Sequence, residues 1–185
     1  LSVADLRFHS ELSDAFVAAG AAAGFARNDD FNGARQDGFG LYQVTQRDGA
    51  RCSAAVAYLR PALQRANLEV RTGALVQRVL IEQDRAVGVQ VGGRRIEAGE
   101  VILAAGAVNT PQLLMLSGIG PADHLREHGV PVLLDQPHIG AHLQDHLDIC
   151  SVVGTHSRAT FDHLNDLAVA WRYARHRDGI GTSNA

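Results

Sequence analysis

Hydrophobic positions along the chain change their period repeatedly, and each change predicts a different kind of element. From Ser10 to Gly24, residues Leu12, Phe16, Val17, Ala19 and Ala23 recur at helical spacing, with Gly20 suited to close packing and Gly24 to a C-terminal stop. The stretch from Asn28 to Gly40, NDDFNGARQDGFG, is loop chemistry, because its Asn and Asp side chains bond to their own backbone and its glycines tolerate positive φ. A loop of that length inside a domain usually carries function. Ser53 is a candidate cap for a helix running through Arg60, which Pro61 interrupts or restarts on the way to Ala66.

The character then shifts to short segments rich in Val and Ile. Leu68 to Thr72, Leu75 to Glu82, Arg85 to Val91, Arg94 to Ala98 and Glu100 to Ala104 are predicted as five strands, separated by turn residues. Gln83-Asp84 and Gly92-Gly93 are tight-turn pairs that make hairpins of the middle three. The last run is apolar without interruption, the pattern of a strand buried on both faces of a parallel sheet. A helix from Thr110 to Leu116 follows, with Pro111 in its first turn, where a missing N–H costs little.

Further on, the pattern predicts a glycine turn at Ser117 to Gly120, a helix from near Pro121 to before Gly129, and a short strand Val132 to Leu134. A His-rich loop from Pro137 to His146 and an extended apolar stretch near Ile149 to Val153 come next. An amphipathic helix from Phe161 to about Arg177 turns Leu164, Leu167, Ala168, Trp171 and Ala174 inward. Helical and strand periods alternate, so the fold class is α/β with a mixed α+β character.

Composition narrows the function classes. The chain has 185 residues, 46% hydrophobic and 20% charged, with a formal charge of −3, which excludes a disordered tail and a disulfide scaffold. Its basic residues are scattered, so no clustered face exists for nucleic acid. All 17 are Arg, a bias expected of a GC-rich bacterial genome that also removes Schiff-base and phosphate-binding lysines. Cys52 and Cys150 fit no metal or redox spacing and are expected to be buried or half-buried free thiols in a reducing compartment. No apolar run approaches a membrane span and no signal segment opens the chain. The expected location is therefore the cytoplasm, with peripheral attachment to the inner membrane as the alternative. The start at Leu1-Ser2 and the end at Thr182-Ser183-Asn184-Ala185 read as an internal piece of a longer protein.

Several patterns are candidates for chemistry. A strand ending in Ala105-Gly106-Ala107 and turning into a helix is how α/β proteins bring backbone N–H groups against a nucleotide, although the same small residues also suit close strand-helix packing. Gly118-Ile119-Gly120 follows a helix and cannot open a dinucleotide fingerprint; no GxGxxG occurs in the chain. His142, Asp145 and His146 have the spacing of metal ligands on a helix face, but neither an HExxH glutamate nor a third ligand accompanies them. His124 and His128 share that spacing and read as a solvated helix face. No metal site is assigned. Ser117 lacks the strand-to-helix elbow of a hydrolase nucleophile.

The segment Gly106-Ala-Val-Asn-Thr-Pro-Gln-Leu-Leu-Met-Leu-Ser-Gly-Ile-Gly120, with EVILAAGA before it and GIGPADHL across its end, resembles the second signature of the glucose-methanol-choline (GMC) flavin oxidoreductases. Residues Phe31 to Ala62 and Asn67 to Leu80 resemble segments of choline dehydrogenase-like members, and Ile139 to His146 resembles the family's turn ending in LQDH. The resemblance covers about Asn28 to Asp148. It implies part of a doubly wound FAD-binding domain with an inserted β-meander, plus pieces of a substrate domain, and oxidation of a small-molecule alcohol to an aldehyde or ketone by hydride transfer to FAD. It implies that Val76 offers its backbone to the adenine and that Ala105 and Gly106 lie near the adenosine end of FAD. Residues 1–66 would belong to the substrate domain and its connection, 67–136 to the FAD-binding domain, and 137–185 to a loop and the start of a further substrate-domain part. The electron acceptor would be oxygen, a quinone or another non-NAD acceptor. The protein supplies position and electrostatics for chemistry that belongs to the cofactor.

The match has gaps. His138 and His142 stand where the family usually has Gly and Asn, and His accepts positive φ less readily than Gly. The pyrophosphate-binding GxGxxG and the catalytic His of the family have no counterpart here, so no catalytic residue is assigned and the chain alone is expected to be inactive. The alternatives are an oxidase or hydroxynitrile-lyase-type member of the same fold, or a non-catalytic remnant or binding module.

Overall fold

A capping serine opens the first element where the sequence requires it. The computed structural model describes residues 1–156 and 159–183. In chain order it contains α1 (Glu11–Ala22), the short strands β1 (Gln46–Arg47) and β2 (Ala50–Arg51), and a π-helical turn Ala55–Leu59 running into α2 (Arg60–Ala62). Strands β3 (Val76–Glu82), β4 (Arg85–Val91) and β5 (Arg94–Glu97) follow, then α3 (Gly106–Leu116), β6 (Ile119–Gly120), α4 (Ala122–Glu127) and β7 (Leu134–Asp135). The last long element is α5 (Asp166–His176), preceded by a 3-10 turn at Phe161–His163 and followed by another at Ile180–Thr182. Two units emerge: residues 1–69 with 152–185, and residues 70–151.

In the first unit, Ser10 Oγ accepts the Ser13 N–H and caps α1. Gly20 is there because the Phe39 ring lies against it: a Cβ would come within 2.5 Å of the ring. Phe39 in turn packs on Phe16 and Phe25, with centroids 5.4 and 5.2 Å away. The loop that carries Phe39 is organised by buried Asn28, whose amide donates to the Arg35 carbonyl at 2.8 Å and accepts the Asp30 N–H at 2.9 Å. Ser53 Oγ accepts the Val56 N–H, as a cap should, but helix regularity ends at Ala62. The expected single helix from Phe161 is a 3-10 turn and then α5, capped by Asn165. Its expected inward face is open, with Leu167 82% and Trp171 65% exposed.

The second unit is built on the antiparallel meander β3-β4-β5. Both predicted hairpin pairs form, with φ positive at Gln83 and Asp84 and at Gly92 and Gly93, the mirror-image turn that matches strand twist. The predicted outer strands do not form: neither residues 68–72 nor 100–104 are strands of any sheet among the described residues. The second of these is open, with Ile102 82% exposed, because among the described residues no neighbouring strand flanks it. In this unit β6 pairs in parallel with β7, which begins two residues later than the strand expected at Val132 to Leu134. Helix α3 begins at Gly106, earlier than expected, so Pro111 lies inside it and not in the first turn. Cys52 is buried, as expected, whereas Cys150 is exposed. Among the described residues no helix is long and apolar enough to cross a membrane.

Candidate functional site

Helix α3 and its approach form the best-organised candidate site. Residues 101–104 run extended into Ala105, whose N–H donates to Thr110 Oγ1 at 3.0 Å, so the turn is closed by the helix it opens. Gly106 follows at φ +87°, a conformation that side-chain-bearing residues avoid. No atom lies within 4 Å of where its Cβ would be, so the absent side chain leaves open space at the start of an 11-residue helix. No acidic residue occupies the first turn, which leaves the positive end of the helix dipole and the first-turn N–H groups unmasked. Backbone donors, positive potential and clearance suit the sugar-phosphate part of a nucleotide. The residues therefore fit the adenosine end of FAD in donor type and in space.

The other end of α3 is tied to the meander. Ser117 Oγ donates to the Leu113 carbonyl at 2.6 Å and accepts the Val79 N–H at 2.8 Å, joining helix end and strand β3 through one buried hydroxyl. Val76 opens β3 as the cross-strand partner of Val91 and is half-buried. The site residues expected from sequence thus sit in one unit, Val76 on the strand and Ala105 and Gly106 at the helix start. Among the described residues no hydrogen bond joins Val76 to the turn.

The loop after β7 lies against α3: a Cβ on Gly140 would stand 3.5 Å from Met115 Cε and 3.9 Å from Pro111 Cβ. His142 takes φ +57°, the left-handed region, at the position where the resemblance implies Asn. His138 is not in that region, so the turn accommodates a side chain there. Residues 141–150 have no regular structure, so His142 and His146 do not share a helix face, and Asp145 accepts the His146 N–H. His124 on the short α4 and His128 just past its end stack edge-on, with ring centroids 4.7 Å apart. Among the described residues no group of three or more His, Cys, Asp or Glu is arranged to hold a metal. Ser117, with both hydroxyl roles taken by backbone, is not a nucleophile.

Two features escaped the sequence reading. One is the Ser117 link, whose partner is 38 residues away. The other is Gln46, 4% exposed, whose Nε2 donates to the Thr182 carbonyl at 2.8 Å across 136 residues. Periodicity reports local structure, and neither contact leaves a local trace.

A family model described as GMC oxidoreductase matches residues 1–148. An alcohol dehydrogenase [acceptor] of Pseudomonas putida is 44% identical over 196 residues, covering 100% of this chain and 36% of that protein. An oxygen-dependent choline dehydrogenase of Brucella ovis is 49% identical over 143 residues, covering 75% of this chain and 26% of the relative. Among solved structures, an FAD-dependent oxidoreductase from Chaetomium thermophilum is similar with a TM-score of 0.78 at 26% identity, covering 97% of this chain and 34% of the other. Pyridoxine 4-oxidase from Mesorbium loti gives a TM-score of 0.62 at 37% identity, covering 69% and 26%. The chain spans only 36% and 26% of the length of these two curated relatives.

Proposed function

The chain belongs to the GMC oxidoreductase family, and from that premise we propose that it contributes the adenosine-side part of an FAD site to an enzyme that oxidises an alcohol to an aldehyde or ketone. The observation that carries the reading is the open turn at Ala105 and Gly106, at positive φ and with an unmasked helix start, inside the segment that the family model matches. In this reading the Gly106 turn and the first N–H groups of α3 would hold the adenosine moiety and the backbone of Val76 would hold the adenine. Ser117 keeps strand and helix in register so that these backbone groups stay in place. FAD, when bound, accepts the hydride and supplies the redox chemistry. The names of the relatives support a small alcohol as substrate and an acceptor other than NAD, whether oxygen, a quinone or another species. Residues 67–136 are assigned to the FAD-binding domain and residues 1–66 and 137–185 to the substrate domain and its connections, in a cytoplasmic protein.

The test is steady-state turnover by the natural gene product that carries this sequence, supplied with FAD and a panel of primary alcohols including choline. Oxidation coupled to oxygen or to a dye acceptor, with no reduction of NAD, is expected. Alcohol oxidation that requires NAD, or none with any alcohol or acceptor, would overturn the reading.

A further inference from the structure

Helix α3 starts without the kind of residue that usually starts a helix. Its N-cap is Ala105, which has no side-chain acceptor, whereas Ser, Thr, Asp or Asn is the common choice there. The missing acceptor comes from inside the helix: Thr110 Oγ1 takes the Ala105 N–H at 3.0 Å, reaching back over five residues. This bond does for the cap's own N–H what the Glu of a capping box does from two residues nearer.

For the helix itself, Thr110 is a poor choice. It is β-branched, and Pro111 after it both disfavours the helical conformation at Thr110 and removes an N–H from the helix interior. Helix propensity therefore does not account for a Thr-Pro pair here, and the hydroxyl bond does. What that bond holds is a turn, with Ala105 at φ −89° and ψ 8° and Gly106 at φ +87°. Ala105, Gly106 and Ala107 have no polar side chain of their own, so a side-chain bond that orders the turn must come from elsewhere. Among the described residues Thr110 supplies it. The turn in turn sets the directions of the N–H groups of Gly106, Ala107 and Val108, for which no acceptor is found among the described residues.

We propose that Thr110 is a positioning residue of the adenosine site: by holding the Ala105 N–H, its hydroxyl fixes the Gly106 turn and keeps the first N–H groups of α3 available to the cofactor. The inference rests on the adenosine-side reading proposed above and names the side chain that makes that turn fit to bind. Thr110 acts through Ala105 and not by contact with FAD.

The test is titration with FAD of the natural gene product containing this chain, freed of flavin, read by flavin fluorescence, for the wild type, Thr110→Ser and Thr110→Val. Serine keeps the hydroxyl and loses the methyl; valine keeps the shape and loses the hydroxyl. Positioning through the hydroxyl predicts that Thr110→Ser binds FAD within about threefold of the wild type and that Thr110→Val binds about tenfold more weakly, the effect of about one hydrogen bond. A packing role for Thr110 predicts the reverse order. Thr110→Ala should be as weak as Thr110→Val, and its comparison with Thr110→Ser stays decisive where the valine variant does not fold. Valine or alanine variants that bind as tightly as the serine variant, or a serine variant as weak as they are, would overturn the role of Thr110 and leave the adenosine site standing. A wild-type protein that takes up no FAD would overturn the adenosine-side reading itself, and the role of Thr110 with it.

Discussion

Ser117 shows how much one hydroxyl can hold. It satisfies the buried Val79 N–H while donating to its own helix, so Ser117→Ala strands a buried donor and loosens β3 from α3. Urea denaturation should register a loss of about 1–3 kcal/mol, the usual cost of an unmatched buried group. An unchanged midpoint would mean that water replaces the hydroxyl. Charge acts at this scale too. The Asp178 carboxyl is held below the ordinary carboxylate range, chiefly by the hydrogen bond from Arg172. Its contribution is therefore fully present above the unfolded pKa, about 3.9, and is lost as the pH falls through the lower folded value. Asp178→Asn should flatten the acid limb of a stability-pH curve below about pH 4, by a small amount because the pair is exposed. The sequence reading found Ser53 as a cap because a cap and its helix are neighbours. It missed Ser117 and Gln46 because their partners are remote.

At the level of elements, hairpins were the most legible feature, since a two-residue turn between alternating strands is a local code. Gln83-Asp84 pays for its position, because both residues adopt positive φ where Asn-Gly is at ease. Replacing the pair by Asn-Gly should raise stability by about 1 kcal/mol without altering the fold. A decrease would show that the Gln83 and Asp84 side chains contribute more than the turn costs. The start of α3 was placed too late because Pro111 reads as a first-turn residue, whereas the Ala105 to Thr110 contact starts the helix before it. The apolar run at residues 101–104 and the apolar face of α5 were read for what they could bury. Ile102, Leu167 and Trp171 nonetheless stay exposed, so hydrophobic pattern predicted the side chains' preference and not their surroundings.

For the whole molecule, the family is legible from one contiguous signature and the α/β class from alternating periods. Residues 152–185 join the N-terminal segment through contacts such as Gln46 to Thr182 and Phe8 to Phe161, which chain order conceals. In the proposed reading the turn at Ala105 and Gly106 serves only the adenosine side of FAD, and the sequence holds no GxGxxG loop for the pyrophosphate. The isolated 185-residue chain is therefore expected to bind FAD weakly or not at all, and to elute colourless from gel filtration after incubation with the cofactor. A yellow preparation that survives the column would mean that this chain carries more of the FAD site than the adenosine side.

The most direct test of FAD-dependent alcohol oxidation is the visible spectrum of the natural gene product containing this chain, purified and then mixed with alcohol in the absence of oxygen. The predicted result is a protein-bound flavin spectrum that bleaches on addition of a primary alcohol and recovers when an acceptor is admitted. A protein without bound flavin, or a bound flavin that no alcohol bleaches, would contradict the account.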